Sequence, residues 1–263
     1  VARIRLDQLL TERGLARSRA EAQALILAGK VLLVGAPGRM LKPGQQVPAD
    51  ASLSVVEPPR WASRAGEKLE AALEAFGVDP SGAVCLDAGS STGGFTDVLL
   101  AHGARRVYAV DVGRGQLIDR LRRDERVVGM ERTNLRTLDE LPEPVQLASL
   151  DLSFISLRLV LPAVRRLLVA DGRVIALVKP QFEAGRDAVP RGGVVRDPAV
   201  HADVLSRFGT DARATGFGPA RAIRSPLTGT DGNVEFLALL AAPPGLDAVG
   251  WEAAVAAATA TVG

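Results

Sequence analysis

The chain has little of the residue types that most often carry metal, redox or histidine chemistry. There is one cysteine in 263 residues, so an internal disulfide and a cysteine-based zinc site are both excluded. That residue, Cys85, sits inside an apolar run and reads as a small buried hydrophobe. There are two histidines, His102 and His201, far apart in sequence. They read as surface residues rather than as a metal pair or a general base. No apolar run reaches the ~18 residues that a membrane-spanning helix requires. The first residues are charged at once (Arg3, Arg5, Asp7), which is not the pattern of a signal peptide. These absences point to a cytoplasmic protein with no metal, no membrane partner and a core built from its 47% hydrophobic residues.

Net charge is also small, +2 at pH 7, but it is unevenly placed. Residues 1–60 hold nine lysines and arginines against five acids, which leaves 23 against 25 for the rest. A basic small module ahead of a near-neutral body points to a polyanionic partner. Within the module, Leu6, Leu9 and Leu10 have helical spacing and Gly14 ends that helix. Ser18 and Glu21 have the spacing of a capping box ahead of a second helix, which Gly29 ends. Short strands are expected at residues 31–34 and 53–56, with turns at residues 35–38 and 42–44. Pro58-Pro59 reads as a stiff joint, so the boundaries are residues 1–57 for the module, 58–63 for the linker and 64–263 for the large domain. Trp61 is suited to stacking on a base or to packing between the domains. Ser63 is placed to cap the first helix of the large domain, which carries Lys68 and stops at Gly77.

Beyond residue 80, short apolar runs alternate with helical stretches. The strands expected at 84–86, 107–110, 127–130, 147–150 and 174–178 are separated by helices, including one over 156–168 and one over 197–211. This is the pattern of a doubly wound, mostly parallel α/β sheet. Residues 222–223 and 234–240 are strands joined too closely for a crossover helix, so they close the sheet as an antiparallel pair. A weak helix covers 251–259. The first strand runs into Asp87 and a small-residue loop from Gly89 to Gly94, and the next ends in Asp111. Strand, glycine loop, helix, strand and acid make a nucleotide-binding arrangement. The loop lacks Gly-x-Gly-x-x-Gly and has no Gly-Lys-Ser/Thr ending, which argues against a dinucleotide site and a P-loop. An acid before the loop suits a ligand that carries an ammonium group as well as a ribose, as S-adenosylmethionine does.

Two resemblances sharpen this reading. The run Arg-Leu-Asp-Gln-Leu-Leu-Thr-Glu-Arg-Gly-Leu-Ala-Arg-Ser-Arg-Ala-Glu-Ala, followed by Ile-Leu-Ala-Gly-Lys-Val, resembles the α-L RNA-binding motif of ribosomal protein S-four type over about residues 3–57. It implies binding of structured RNA through the helix pair, with Arg3, Arg5, Arg13, Arg17, Arg19 and Lys30 as contacts and Arg60 and Arg64 beyond them. Lys68, Asp151, Lys179 and Glu235 resemble the Lys-Asp-Lys-Glu tetrad of FtsJ-like ribose 2′-O-methyltransferases. Over about residues 3–241 the chain resembles the TlyA (hemolysin A) family. The segments that carry this are Ser-Arg-Ala-Gly-Glu-Lys-Leu, Asp-Ala-Gly-Ser-Ser-Thr-Gly-Gly-Phe-Thr-Asp, Asp-Leu-Ser-Phe-Ile-Ser, Leu-Val-Lys-Pro-Gln-Phe-Glu and Gly-Asn-Val-Glu-Phe-Leu. Ala65 departs from the family pattern, where glycine is expected.

The resemblance implies a Rossmann-like class I methyltransferase domain after a small α+β RNA-binding domain. It implies S-adenosylmethionine as donor and ribosomal RNA, on ribosomal subunits, as partner. On the donor side it implies Asp87 at the methionine ammonium, Gly89, Ser91 and Gly93 behind the methionine and ribose, Asp111 at the ribose hydroxyls, and Asn134 near the adenine. On the acceptor side it implies Lys179 as general base or as the cation that orients the hydroxyl, Asp151 holding it, and Lys68 and Glu235 fixing ribose and phosphate, with no metal. Two other readings stand beside it: an RNA-binding assembly protein with a vestigial donor site, and a membrane-active hemolysin.

Overall fold

The computed structural model describes residues 2–34, 41–55, 60–185, 188–242 and 248–260. The turn expected at 35–38 and the joint at Pro58-Pro59 lie outside these residues. The chain divides into two compact units, Val1–Arg60 and Trp61–Gly263.

The first unit holds β1 (Arg3–Arg5), α1 (Leu6–Glu12), α2 (Arg19–Leu27), β2 (Val31–Leu33), β3 (Gln46–Pro48) and β4 (Leu53–Val55). Leu6, Leu9, Leu10, Ala22 and Ile26 form its core with Val31 and Val47. Ser18 caps α2 by accepting the Glu21 N–H at 3.2 Å. The reciprocal half of the box is not made, because the Glu21 carboxylate takes the Arg17 N–H instead. β2 and β4 lie where strands were expected, and they pair antiparallel with each other. β1 and β3, which pair antiparallel, were not expected. They are three residues each, too short for their single apolar residue, Ile4 or Val47, to announce a strand.

The second unit opens with α3 (Ala65–Phe76), which ends on Gly77 in a left-handed conformation. Ser63 does not cap it through its side chain; its carbonyl accepts the Gly66 N–H. Trp61 is buried against this helix, and its indole N–H donates to Glu70 at 3.2 Å. It packs within the second unit's own apolar cluster, so it is no stacking surface for a base. A Cβ on Gly66 would fall 2.5 Å from the Trp61 side chain, so the bare backbone matters at Gly66. Ala65, the departure noted above, is part-exposed and costs nothing here.

There follow β5 (Val84–Ala88), α4 (Gly94–Ala101), β6 (Arg106–Val110), α5 (Asp119–Arg122), β7 (Val127–Met130), β8 (Val145–Leu150), α6 (Leu161–Leu167), β9 (Leu168–Val178), α7 (Pro180–Glu183), α8 (Pro198–Ala214), β10 (Gly218–Arg224), β11 (Phe236–Ala241) and α9 (Ala248–Thr259). The seven strands lie in the order β10-β11-β9-β8-β5-β6-β7. β5 to β9 run parallel, and β11 pairs antiparallel with both β9 and β10. The closing antiparallel pair is as the short connection required. The single helix expected over 156–168 is instead a 3-10 turn (Leu157–Leu159) followed by α6, with Pro162 in the first turn of that helix, where proline is tolerated. Among the described residues no helix is long and apolar enough to cross a membrane.

Alternate residues of the sheet serve two cores. Val84, Leu86, Val110, Leu150, Val174, Val178, Phe236 and Leu240 face the layer of α6, α8 and α9. Cys85, Val107, Leu147, Ile175, Leu177, Leu237 and Leu239 face the layer of α3 and α4. Burial pushes the Cys85 thiol up to about 12, so it is an inert core residue. His201 corrects the expectation of a surface residue. It is buried, its Nε2 lies 3.0 Å from the Val195 carbonyl, and its ring meets Phe236 edge-on.

Candidate active site

Strand pleating places the site. Every member of the α3/α4-facing set has an odd number, because successive side chains alternate between faces. The same alternation aims Asp87, within β5, and Asp111, Asp151, Lys179 and Glu235, each one residue beyond a strand end, toward the α3/α4 face. The chain starts at β5, winds outward through β6 and β7, and returns to β8 on the other side of β5. That is a topological switch point, where ligands of open α/β sheets bind.

The four tetrad residues form two ion pairs at this edge. Lys68, from α3, pairs with Glu235, and both are buried. Lys179 Nζ lies 2.6 Å from Asp151 Oδ1 and donates to Ser153 Oγ at 3.0 Å. The pairs are neighbours through the sheet: Phe236 lies opposite Val178 in the antiparallel register, which sets Glu235 beside Lys179. Each cation therefore has its own carboxylate, and neither is left as an uncompensated buried charge.

A cavity of about 530 Å³ opens next to Asp151. Gly89, Ser91, Asp111, Asn134 and Asp151 line it, with apolar walls from Val112, Leu135, Ile155 and Phe154. Asp111 accepts the Ser91 N–H at 2.8 Å on one carboxylate oxygen and the Gly113 N–H at 2.7 Å on the other, so its direction is fixed. Gly89 has a φ of 84°, and a Cβ there would lie 2.3 Å from the Asp151 carbonyl oxygen. Only glycine allows the loop after β5 to pack on the end of β8. Asn134 caps a 3-10 turn, its side-chain oxygen accepting the Arg136 N–H at 3.1 Å. A carboxylate for two ribose hydroxyls between apolar walls suits a nucleoside.

Two of the expected donor residues are not on that wall. Gly93 packs against Leu117 and Leu121. Asp87 is wholly buried beneath the loop. Thr96 donates to it at 2.6 Å, and the Ser149 hydroxyl is 3.5 Å away. Burial, with smaller contributions from Asp151 and Asp111, pushes its carboxyl up to about 7 against the pull of the Thr96 hydrogen bond. Its geometry offers a ligand ammonium a field from below rather than a direct contact.

The arginines of the first unit divide by what they touch. Arg5 and Arg19 both donate to Asp7, which is fully buried and also accepts from Gln23. Arg13 donates to the carbonyls of Ala49 and Ala51, and Arg3 to that of Gln46. Arg17 pairs with Glu21 but is 92% exposed. Lys30 is part-exposed. Arg5, Arg13 and Arg19 thus brace the small fold while leaving part of each side chain in solvent. Arg60 is exposed, and Arg64, also exposed, donates to the Thr228 carbonyl within the second unit.

Some site residues had no signal in the sequence reading. Ser153 is one, since its partnership with Lys179 exists only in three dimensions. Phe154 is another: it is 90% exposed at the cavity, has a φ of 63°, and its ring centroid is 5.0 Å from that of Phe182. A bulky residue in the left-handed region costs about 1–3 kcal/mol. The segment Asp-Leu-Ser-Phe-Ile-Ser counted toward the family resemblance, but the residues alone gave Ser153 and Phe154 no role. Among the described residues no group of three metal-ligating side chains occurs.

Comparison with known proteins agrees with this architecture. The FtsJ-like methyltransferase family matches residues 61–242 and the S4 domain matches residues 4–47. TlyA of Mycobacterium tuberculosis, named a 16S/23S rRNA (cytidine-2′-O)-methyltransferase, is 48% identical over 238 residues, covering 89% of this chain and 88% of its own. YqxC of Bacillus subtilis, provisionally named an rRNA methyltransferase, is 51% identical over 237 residues, covering 89% and 84%. A solved structure from Streptococcus thermophilus, carrying a provisional hemolysin name, aligns with a TM-score of 0.73 at 41% identity over 97% of this chain and 94% of its own. With an S4 domain ahead of an FtsJ-like methyltransferase domain, and relatives this similar along most of their length, the chain belongs to the TlyA family of rRNA 2′-O-methyltransferases.

Proposed function

We propose that this chain methylates ribose 2′-hydroxyls of ribosomal RNA, on cytidines as its named relative does, with S-adenosylmethionine as donor. The observation that carries the reading is the Lys179–Asp151 pair beside a cavity that a backbone-oriented carboxylate, Asp111, also lines. Gly89, Ser91 and Asp111 hold the methionine and ribose, Val112, Leu135 and Asn134 flank the adenine, and Asp87 favours the ammonium through its field. Bound there, the donor would supply an electrophilic methyl group on a sulfonium, whose sulfur would keep the C–S bonding pair when the methyl passes to the ribose oxygen. Lys179, its direction fixed by Asp151 and Ser153, serves as the general base that takes the hydroxyl proton or as the cation that orients the hydroxyl and stabilises the developing alkoxide while the proton passes to solvent. Lys68 and Glu235 hold each other as a buried pair beside Lys179 and set the ribose. Such alignment alone contributes up to ~7–11 kcal/mol to an in-line transfer. Phe154 presents an aromatic face to the acceptor base, and the arginines of the first unit anchor structured RNA through phosphates.

Two measurements on the full chain test this. Calorimetry should detect S-adenosylmethionine binding that weakens at least ~10-fold in Asp111→Ala, the loss expected for two charge-assisted hydrogen bonds. Ribose-methylation mapping should find a new 2′-O-methyl group on ribosomal subunits incubated with protein and donor. A chain that binds no donor, or that methylates a base rather than a ribose, is not this enzyme.

A further inference from the structure

The segment after β8 and the segment after β9 are laced together by successive contacts. Asp151 pairs with Lys179 and Ser153 accepts from it. Phe154 packs on Phe182. Glu183 closes the series: one carboxylate oxygen accepts the Ser156 hydroxyl at 2.6 Å and the other accepts the Leu157 N–H at 2.8 Å. The two ends of the first segment are fixed independently. Its start is held by the Asp151 N–H donating to Ala88 and by Gly89 lying against the Asp151 carbonyl. Its far end is held by Glu183, across 26 and 27 residues of chain. Between them lie Ser153 and the left-handed Phe154, a conformation that persists only where the surroundings over-determine it.

We infer that Glu183 is a positioning residue for the acceptor side of the site, pinning the loop of residues 153–157 so that Ser153 meets Lys179 and Phe154 stays at the cavity rim. The inference deepens the methyl-transfer reading and rests on it for the kinetic part. Glu183 touches neither donor nor reacting atoms; it acts through the loop. Its carboxylate can be replaced in outline by an amide, whose oxygen accepts from Leu157 while its NH₂ donates to the Ser156 oxygen. Alanine offers neither, and leaves a hydroxyl and a backbone N–H without their acceptor.

The test compares Glu183→Ala and Glu183→Gln in the full chain. Donor affinity is measured by calorimetry, and kcat and KM by methyl transfer to unmodified ribosomal subunits. A third measurement needs no activity: steady-state anisotropy of the tryptophan fluorescence added by Phe154→Trp, position 154 being exposed while Trp61 and Trp251 are buried. Glu183→Ala should lower kcat about 10- to 100-fold, as a small misplacement of reacting groups does, leave donor affinity nearly unchanged, and lower the anisotropy at position 154. Glu183→Gln should restore most of the rate and the anisotropy. An unchanged kcat in the alanine variant overturns the inference. So does a glutamine variant as impaired as alanine, or a donor affinity that falls together with kcat. If the unsubstituted chain transfers no methyl group at all, the methyltransferase reading fails, and the anisotropy comparison alone decides whether Glu183 pins the loop.

Discussion

Each unit of this protein buries an aspartate completely, and the two are used in opposite ways. Asp7, in the first unit, receives Arg5, Arg19 and Gln23. The Arg5 hydrogen bonds, above all, hold its carboxyl well below the usual range despite burial. Asp87, in the second unit, receives one close hydroxyl and no cation, and its carboxyl sits near neutrality. Burial alone therefore does not set ionisation; the partners do. In the first unit a buried charge is consumed in bracing arginines that stand half in solvent. In the second it is met by hydroxyls rather than by a cation, beneath the loop whose Gly89 and Ser91 line the cavity. The first arrangement braces a basic surface, and the second leaves an acid whose ionisation a nearby cation would favour.

If that contrast is right, substitutions should separate chemistry, fold and donor binding. The largest effect belongs to Lys179. Lys179→Ala should lower single-turnover methyl transfer at least ~100-fold, the scale of a lost general base, while calorimetry finds donor binding nearly intact. Lys179→Arg should fail almost as badly, since a guanidinium gives up no proton. An active arginine variant would leave this residue only an orienting or electrostatic role.

Asp7→Ala comes next and should act on shape. It should destabilise the first unit by about 2–3 kcal/mol, less than a fully buried pair because both arginines are about half exposed. Hydrogen exchange within residues 2–34 of the full chain reads this without interference from the second unit. The pH sign is fixed by the lowered carboxyl: the contribution is complete above about pH 4 and is lost as acid protonates the native state. Equal protection in variant and parent would remove the bracing role.

The smallest effect is a slope. Because the Asp87 carboxyl titrates at about 7, donor affinity should rise several-fold from about pH 6 to about pH 7.5 as it ionises. Fold stability should move the other way. A carboxyl raised in the native state favours folding on the acid side and loses that contribution as pH climbs through 7. Asp87→Asn should flatten both trends. A donor affinity that ignores pH in the parent would mean that the carboxylate field does not reach the ligand.

The sheet was legible in the sequence because apolar runs of strand length alternated with helical patterns, and the tetrad was legible because each of its strand-borne members stands at a strand end. What escaped depends on distance in space. β1 and β3 are recognisable only as each other's partners. The helix expected over 156–168 splits because the loop bearing Ser153 and Phe154 extends to Leu157, where Glu183 holds it. Two residues were misread from their type: His201 is polar yet buried beneath Phe236, and Trp61 is aromatic yet turned into its own unit. Asp87 was singled out as the acid before the loop, but not as one that would lie beneath it.

The odd-numbered face of the sheet also limits how such a gene can change length. Deleting one codon within β5, β6, β8 or β9 would exchange the two faces of that strand from the cut onward. The acid or lysine at its end would then turn into the aliphatic layer under α6 and α8. Removing two codons would preserve the facing but draw the terminal residue back by roughly 7 Å, two strand rises. Insertions and deletions compatible with activity should therefore map to the connections between elements, and a scanning-deletion library should show intolerance beginning sharply at each strand's first residue.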